Sequence, residues 1–278
     1  MGLTIPKPRS IVPGFLPTIG ITLTYLSLIV LIPLAGLVLK SSAMSGKQFL
    51  AIITEPRVIA AFKISFGISI LAGVVSSFFG LITAWVLVRY RFPGRRILDA
   101  VIDLPFAMPT SVSGITLATL YSEHGWIGSY LHEIGIKVAF TPLGILLALI
   151  FIGFPFIVRG VEPALHEMDK EMEEAAACLG ASRGQTIKKI IFPQLTPALI
   201  AGFGMAVARA LGEYGSVIFI AGNIPYVSEI VPLLIIIKLE QFDYLGATAI
   251  AVTMLAASFV MLLAINLFQV ILRRRFYR

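Results

Sequence analysis

The segment "EEAAACLGASRGQTIKKIIFP" (Glu173–Pro193) is a polar insert in a largely apolar chain. It opens as a helix, because Asp169 can accept hydrogen bonds at a helix start and Glu173 and Glu174 lie near its positive end. The alanines that follow keep the helix propensity high and the helix surface thin. Gly180 suits the end of this helix, where a left-handed backbone is easiest for glycine.

A second short helix is predicted directly after the first. Ser182 and Gln185 have the S-x-x-Q spacing of a capping box, and Pro193 stops the helix before the next apolar segment. Small side chains on an exposed helix let another backbone approach closely, and flanking acids can bind basic groups. The local pattern therefore fits either a docking element for a partner or an ordinary solvated connector.

The rest of the chain has the composition of a membrane protein. Of its 278 residues, 58% are hydrophobic and 13% are charged, whereas soluble domains carry about 25% charged residues. The single cysteine, Cys178, cannot form an intrachain disulfide. The formal net charge of +7 would allow nucleic-acid binding, but no solvated basic face is evident, and we expect no nucleic-acid partner.

We predict an all-α membrane protein with a single transmembrane domain over residues 1–278. A helix needs about 20 mostly apolar residues to cross a bilayer. Six segments qualify, and the stretch from Ile230 to Lys238 is too short and is predicted to be a helix on the outer side. The six predicted spans cover residues 16–39, 62–88, 100–121, 141–160, 196–221 and 246–272.

The positions of the basic residues predict the orientation. With both termini in the cytoplasm, 15 lysines and arginines fall on the inner side and 6 on the outer side, and Arg209 within a span completes the total of 22. Basic residues concentrate on the cytoplasmic side of membrane proteins, so we expect both termini inside and the 161–195 loop in the cytoplasm.

The segment "EAAACLGASRGQTIKKIIFP" (Glu174–Pro193) resembles the EAA loop of ABC-importer permeases. The matching positions, in register, are Glu174, Ala175, Ala176, Gly180, Ile190 and Pro193; Phe192 stands where leucine is usual. The resemblance implies a type I permease fold like that of molybdate permeases. It also implies that the helix starting near Glu173 couples to a separate ATPase subunit.

The resemblance becomes more specific in two other stretches. "RYRFPGRRILDAVIDLPFAMPTSVSGITLA" from Arg89 and "RALGEYGSVIFIAGN" from Arg209 are similar to the sulfate/thiosulfate importer permeases, and "VPGF" from Val12 is similar to their T-type subunit. The family implies a W-type permease partner in a heterodimer, two ATPase subunits that bind ATP and Mg²⁺, and a periplasmic sulfate-binding protein. It implies a bacterial inner-membrane location.

Two spans carry candidate residues of an anion path. Pro105 and Pro109 lie on one face of the third span and free backbone carbonyls there. Hydroxyl groups nearby can hydrogen-bond an oxyanion or the helix backbone. The hydroxyl-bearing candidates are Thr110, Ser111 and Ser113.

Arg209 and Glu213 occur four residues apart in the fifth span. A charge inside the membrane is costly, so both should face the bundle interior or water. Glu213 is interpreted as half of a structural ion pair. Arg209 could contact an anion through its fork of donors, or it could be neutralised by Glu213.

No catalytic pattern accompanies these features. The sequence contains no P-loop, no histidines at metal-ligand spacing and no nucleophile–base pair, so we expect a non-catalytic subunit with no bound cofactor or metal. Two alternatives stay open: a permease for molybdate or another oxyanion, and an ion-coupled secondary transporter. The latter would place paired carboxylates at mid-membrane, where Glu213 is the only strong acid.

Overall fold

The computed structural model describes residues 15–276, and within that range every regular element is a helix. The "VPGF" stretch that resembles the T-type subunit therefore lies almost entirely outside the described residues. The elements in chain order are α1 (Phe15–Leu26), π1 (Ser27–Leu31), α2 (Ile32–Ser42), α3 (Gly46–Ile53), α4 (Pro56–Arg89), α5 (Arg95–Ile102), α6 (Leu104–Ala107), α7 (Thr110–Tyr121), α8 (Gly128–Glu133), α9 (Pro142–Glu167), α10 (Lys170–Cys178), α11 (Arg183–Thr186), π2 (Ile187–Ile191), α12 (Phe192–Leu211), α13 (Val217–Ile220), α14 (Val231–Glu240) and α15 (Tyr244–Phe276).

Five continuous helical stretches within the described range are long and apolar enough to cross a membrane. They are Pro17–Ser42, Pro56–Arg89, Pro142–Glu167, Arg183–Leu211 and Tyr244–Leu272. Each overlaps one of the predicted spans. The helix Pro142–Glu167 corresponds to the fourth predicted span, 141–160, and runs on to Glu167, so the first residues of the predicted 161–195 loop are still helical.

The third predicted span, residues 100–121, differs because it is broken into α5, α6 and α7 rather than forming one helix. Proline has no N–H and pushes the preceding residue toward extended backbone, which ends a helix. Met108 is extended in this way (φ −88°, ψ 136°), and Pro109 after it is also non-helical. The prediction of a continuous 100–121 helix was therefore wrong at this proline.

The fifth predicted span ends ten residues earlier than predicted, at Leu211 rather than at 221. Gly212 follows, and the buried carboxylate of Glu213 accepts a hydrogen bond from the backbone N–H of Ser216. A side chain thus replaces the helical partner of that N–H, and the chain turns before the short helix α13. The predicted outer-side helix at 230–238 is present as α14.

The helices α4, α9 and α12 form the centre of the bundle and pack closely through small residues. A Cβ atom on Gly80 would lie 2.7 Å from the side chain of Ile157, and one on Gly73 would lie 2.6 Å from that of Val207. Glycine at these positions lets neighbouring helices approach where a larger residue would force them apart. By contrast, α2 has no buried residue, and apart from the adjoining π1 its main packing partner is α15.

Candidate functional site

The helix α10 has the local structure that the sequence predicts. The Asp169 side chain accepts a hydrogen bond from the N–H of Glu171 at 3.0 Å, which caps the first turn. Gly180 adopts the left-handed backbone (φ 80°) just after the helix. Ser182 and Gln185 form a reciprocal capping box at the start of α11. Local hydrogen bonds therefore set both ends of α10 and the start of α11. The predicted stop at Pro193 was wrong, because the helix that starts at Arg183 continues through π2 and α12 to Leu211.

Glu173 and Glu174 point to different surroundings. The Glu173 carboxylate pairs with Arg89 at the end of α4, and both side chains are largely shielded from solvent. The Arg89 guanidinium also lies over the Trp85 ring, 5.1 Å from its centroid. Glu174 is exposed. Glu173 thus fixes α10 to the bundle, and Glu174 stays accessible to a partner.

An open apolar groove of about 640 Å³ runs beside α10. Ala175 and Ala176 of α10 line one side, and Ile190 and Pro193 line the other. Leu179 lies in the groove wall and is almost fully exposed. Four of the six positions that match the EAA pattern therefore line a concave surface that could receive a helix or loop of a partner.

The structure pairs Arg209 with Glu213, as their spacing allows. Arg209 Nη1 lies 2.6 Å from Glu213 Oε2, and Glu213 Oε1 accepts from the N–H and the hydroxyl of Ser216 at 2.9 and 3.0 Å. The Glu213 side chain is 2% exposed, whereas that of Arg209 is 37% exposed. The carboxylate is therefore satisfied inside the protein, and the guanidinium is open on one side.

The break in the third span packs directly against the break after α12. A Cβ on Gly215 would lie 2.2 Å from Thr110 Oγ1, and one on Gly114 would lie 2.3 Å from the carbonyl oxygen of Ser216. The helix breaks in the third and fifth predicted spans thus contact each other near the Arg209–Glu213 pair.

The hydroxyls predicted to line the path differ in their surroundings. Ser113 is buried, and its hydroxyl donates to the carbonyl of Pro109 at 3.3 Å, so it completes the first turn of α7. Ser111 is exposed at the start of α7. Pro105 lies within the short helix α6.

A second charge cluster was missed in the sequence. Arg159 of α9 pairs with Asp103 at 2.6 Å, with Asp99 at 2.8 Å and with Glu162 at 2.7 Å. It ties the broken third span to α9. The i, i+4 spacing of Asp99 and Asp103 was the available signal, because it places both acids on one face of a helix.

An ion pair and a helix cap lie at the opposite end of the bundle from α10. Arg57 donates to both oxygens of the buried Glu229 at 2.8 and 2.6 Å. Asp243 caps α15 by accepting from the N–H of Gly246 at 2.8 Å. This hydrogen bond lowers the pKa of Asp243, and the nearby Lys238 adds to the lowering.

Residues 76–278 match the family described as "Binding-protein-dependent transport system inner membrane component". The chain is 48% identical over 261 residues to the sulfate transport system permease protein CysT of Salmonella typhimurium, covering 94% of each chain. It is likewise 48% identical over 261 residues to the protein of that name from Escherichia coli K12, again covering 94% of each. The Synechocystis protein of that name is 46% identical over 249 residues, covering 90% of this chain and 87% of its own.

Solved structures share the fold at lower identity. A bacterial ABC transporter that imports the acidic polysaccharide alginate superposes with a TM-score of 0.75 at 16% identity, covering 92% of this chain and 95% of the other. The MetNI methionine ABC transporter in an inward-facing conformation gives a TM-score of 0.57 at 19% identity, covering 84% of this chain and 100% of the other. These similarities concern the arrangement of helices.

Proposed function

Because this chain belongs to the binding-protein-dependent transport system inner membrane component family, we propose that it is the permease subunit of an ATP-driven sulfate importer. The observation that carries the proposal is the 48% identity to two sulfate permeases across 94% of each chain. The chain itself would form part of the route through the membrane and would not hydrolyse ATP. Thiosulfate is a second substrate of the same shape and charge.

The groove beside α10 supports coupling to an ATPase subunit. Ala175 and Leu179 are exposed in the groove and Glu174 is exposed elsewhere on α10, while Glu173 holds the helix to α4 through Arg89. A movement of α10 would therefore be transmitted directly to the end of the spanning helix α4. ATP and Mg²⁺ would bind to the two ATPase subunits and not to this chain.

We further propose the surrounding assembly. A W-type permease would form the other half of the path, and a periplasmic sulfate-binding protein would deliver the anion on the side opposite α10. The excess of lysine and arginine in the loops on the α10 side favours placing both termini in the cytoplasm of a bacterial cell.

Arg209 is the best-placed contact for the anion within the described residues. Glu213 holds one nitrogen of its guanidinium, and the structure shows no other partner for it between residues 15 and 276. A guanidinium fork suits a tetrahedral oxyanion, and Glu213 would keep the fork in place. Thr110 and Ser111 start α7 beside the same break and could add hydroxyl donors.

The test is ATP hydrolysis by the complete transporter in lipid nanodiscs, with the binding protein loaded in turn with sulfate, thiosulfate or molybdate. We expect the sulfate-loaded protein to stimulate hydrolysis and the molybdate-loaded protein to leave it at the basal rate. Stimulation by molybdate alone would refute the substrate assignment. Sulfate uptake driven by an ion gradient without ATP would instead identify a secondary transporter.

A further inference from the structure

The loop between α7 and α9 carries a row of exposed apolar side chains. Trp126 is 86% exposed, Tyr130 is 73% exposed and Ile134 is 68% exposed. The N–H of Ser129 donates to the carbonyl of Gly125, so helical turns begin before α8 itself. Residues four apart on such turns lie on the same side, and the three side chains therefore form one face.

The orientation of this face is fixed by two glycines. A Cβ on Gly128 would lie 1.9 Å from the carbonyl oxygen of Ser122, and one on Gly125 would lie 2.3 Å from that of Thr119. Both contacts press the backbone of α8 against the last turn of α7. At about 100° per residue, Gly128 faces inward while Trp126 and Tyr130 face away from the bundle.

The polar groups of the loop lie on other sides of α8. His132 turns toward a pocket of about 290 Å³ that Glu123 and Lys137 also line. Glu123 and Lys137 pair there at 2.8 Å. Glu133 lies on the flank of α8, about 60° around the helix from Tyr130. The exposed row itself contains no charged residue.

The apolar surface continues along the chain into a spanning helix. After Ile134, the exposed side chains of Ile136 and Phe140 lead to Leu143 in the first turn of α9, which is also exposed. Because α9 is one of the helices long and apolar enough to cross a membrane, its exposed apolar side chains would contact lipid wherever no partner subunit covers them. The loop row extends this surface beyond the end of the helix.

We propose that the segment 125–134 lies flat in the membrane interface on the side opposite α10, with Trp126 and Tyr130 inserted at the level of the lipid headgroups. Tryptophan and tyrosine concentrate at this level because each has an apolar ring and one polar group. A short helix with one apolar face and polar flanks lies in the interface plane. The partner of this surface is the lipid bilayer, and the proposal does not depend on which anion is transported.

Cysteine labelling of the complete transporter in lipid nanodiscs tests this placement. The chain has one native cysteine, Cys178, which Cys178→Ser removes. Trp126→Cys and Tyr130→Cys then report on the row, and Glu133→Cys and His124→Cys are exposed controls off the row. Separating the subunits on a denaturing gel keeps cysteines of the partner proteins from contributing.

Two maleimides distinguish the possible environments. With a water-soluble maleimide, the thiols at 126 and 130 should react at least about tenfold more slowly than the controls, because an apolar boundary excludes the reagent and raises the thiol pKa. With a lipid-soluble maleimide, they should react faster than the controls. Slow reaction with both reagents would show that a neighbouring protein covers the row, and this would overturn the proposal.

A second result would also overturn it. If positions 126 and 130 react with the water-soluble reagent as quickly as 133, and become protected only when the anion-loaded binding protein is added, the row is a docking surface for that protein. The two row variants are made separately, so misfolding of one leaves the other to decide the question.

Discussion

Replacing Arg209 by alanine should destabilise the protein, because it leaves a buried carboxylate without its counter-charge. Glu213 is 2% exposed, and its Oε2 has Arg209 Nη1 at 2.6 Å as its ion-pair partner. Breaking a buried ion pair costs about 3–5 kcal/mol. Arg209 is partly exposed and the two hydrogen bonds from Ser216 remain, so we expect a loss of about 2–3 kcal/mol.

Neutralising Glu213 in the same chain should restore much of this loss. Glu213→Gln keeps an oxygen that can accept from Ser216 and removes the unpaired charge. The double variant Arg209→Ala/Glu213→Gln should then be only about 1 kcal/mol less stable than the original protein. Thermal unfolding in nanodiscs gives the comparison across all four proteins, and additive losses in the double variant would refute the reasoning.

Sulfate uptake by the same four proteins separates the structural from the transport role of Arg209. If the guanidinium contacts the anion, the double variant stays inactive although its stability has recovered. Glu213→Gln alone should raise the sulfate concentration for half-maximal uptake, because the guanidinium is no longer held. Uptake near the original rate in the double variant would show that Arg209 serves only the ion pair.

Three further substitutions, two of them with a control variant, test the coupling helix α10, the packing of the two helix breaks and the Asp243 cap of α15. Glu173→Gln should free α10 from α4 and so weaken the coupling of ATP hydrolysis to transport several-fold. The control Glu174→Gln should leave the contact with α4 intact. The ratio of ATP hydrolysed to sulfate imported measures the coupling in both variants. Gly114→Ala should destabilise the fold by about 2 kcal/mol or more, because the added methyl meets a backbone carbonyl, whereas Gly67→Ala, with open space around it, should unfold at or above the original temperature. Asp243→Ala should cost about 1 kcal/mol near neutral pH through loss of a helix cap. Because the folded pKa of that carboxylate is lowered, its contribution is present above the unfolded pKa and disappears as pH falls through the folded one, so the two unfolding temperatures should converge in acid.

Features set by neighbouring residues were predictable from the sequence. The cap at Asp169, the left-handed Gly180 and the capping box of Ser182 and Gln185 each depend on atoms within four residues, and the structure confirms all three. The Arg209–Glu213 contact is equally local. In each case, residue type and spacing were sufficient to define the geometry.

Features set by distant parts of the chain were not predictable in this way. The Arg89–Glu173 pair joins residues 84 positions apart, and nothing in either segment identifies the other. The early end of α12 depends on the carboxylate of Glu213, which is buried beside residues of α4, α9 and the start of α14. Both helix breaks lie within segments that are apolar on average. Hydropathy therefore indicates where a span lies but not where its helix is interrupted.

Because the two helix breaks pack against each other, the third span cannot complete its packing until later segments of the chain have been synthesised. The first residues of α7 pack against Gly215 and Ser216, and within the described residues Asp99 of α5 and the adjoining Asp103 pair with Arg159. Both sets of partners are translated later than the third span. The packing of α7 against Gly215 and Ser216 is therefore completed only after the fifth span has been synthesised, whereas the contacts with Arg159 become available with α9. A nascent chain that stops before α12 contains the whole third span and its partner Arg159, but it lacks Gly215 and Ser216, against which the first residues of α7 pack.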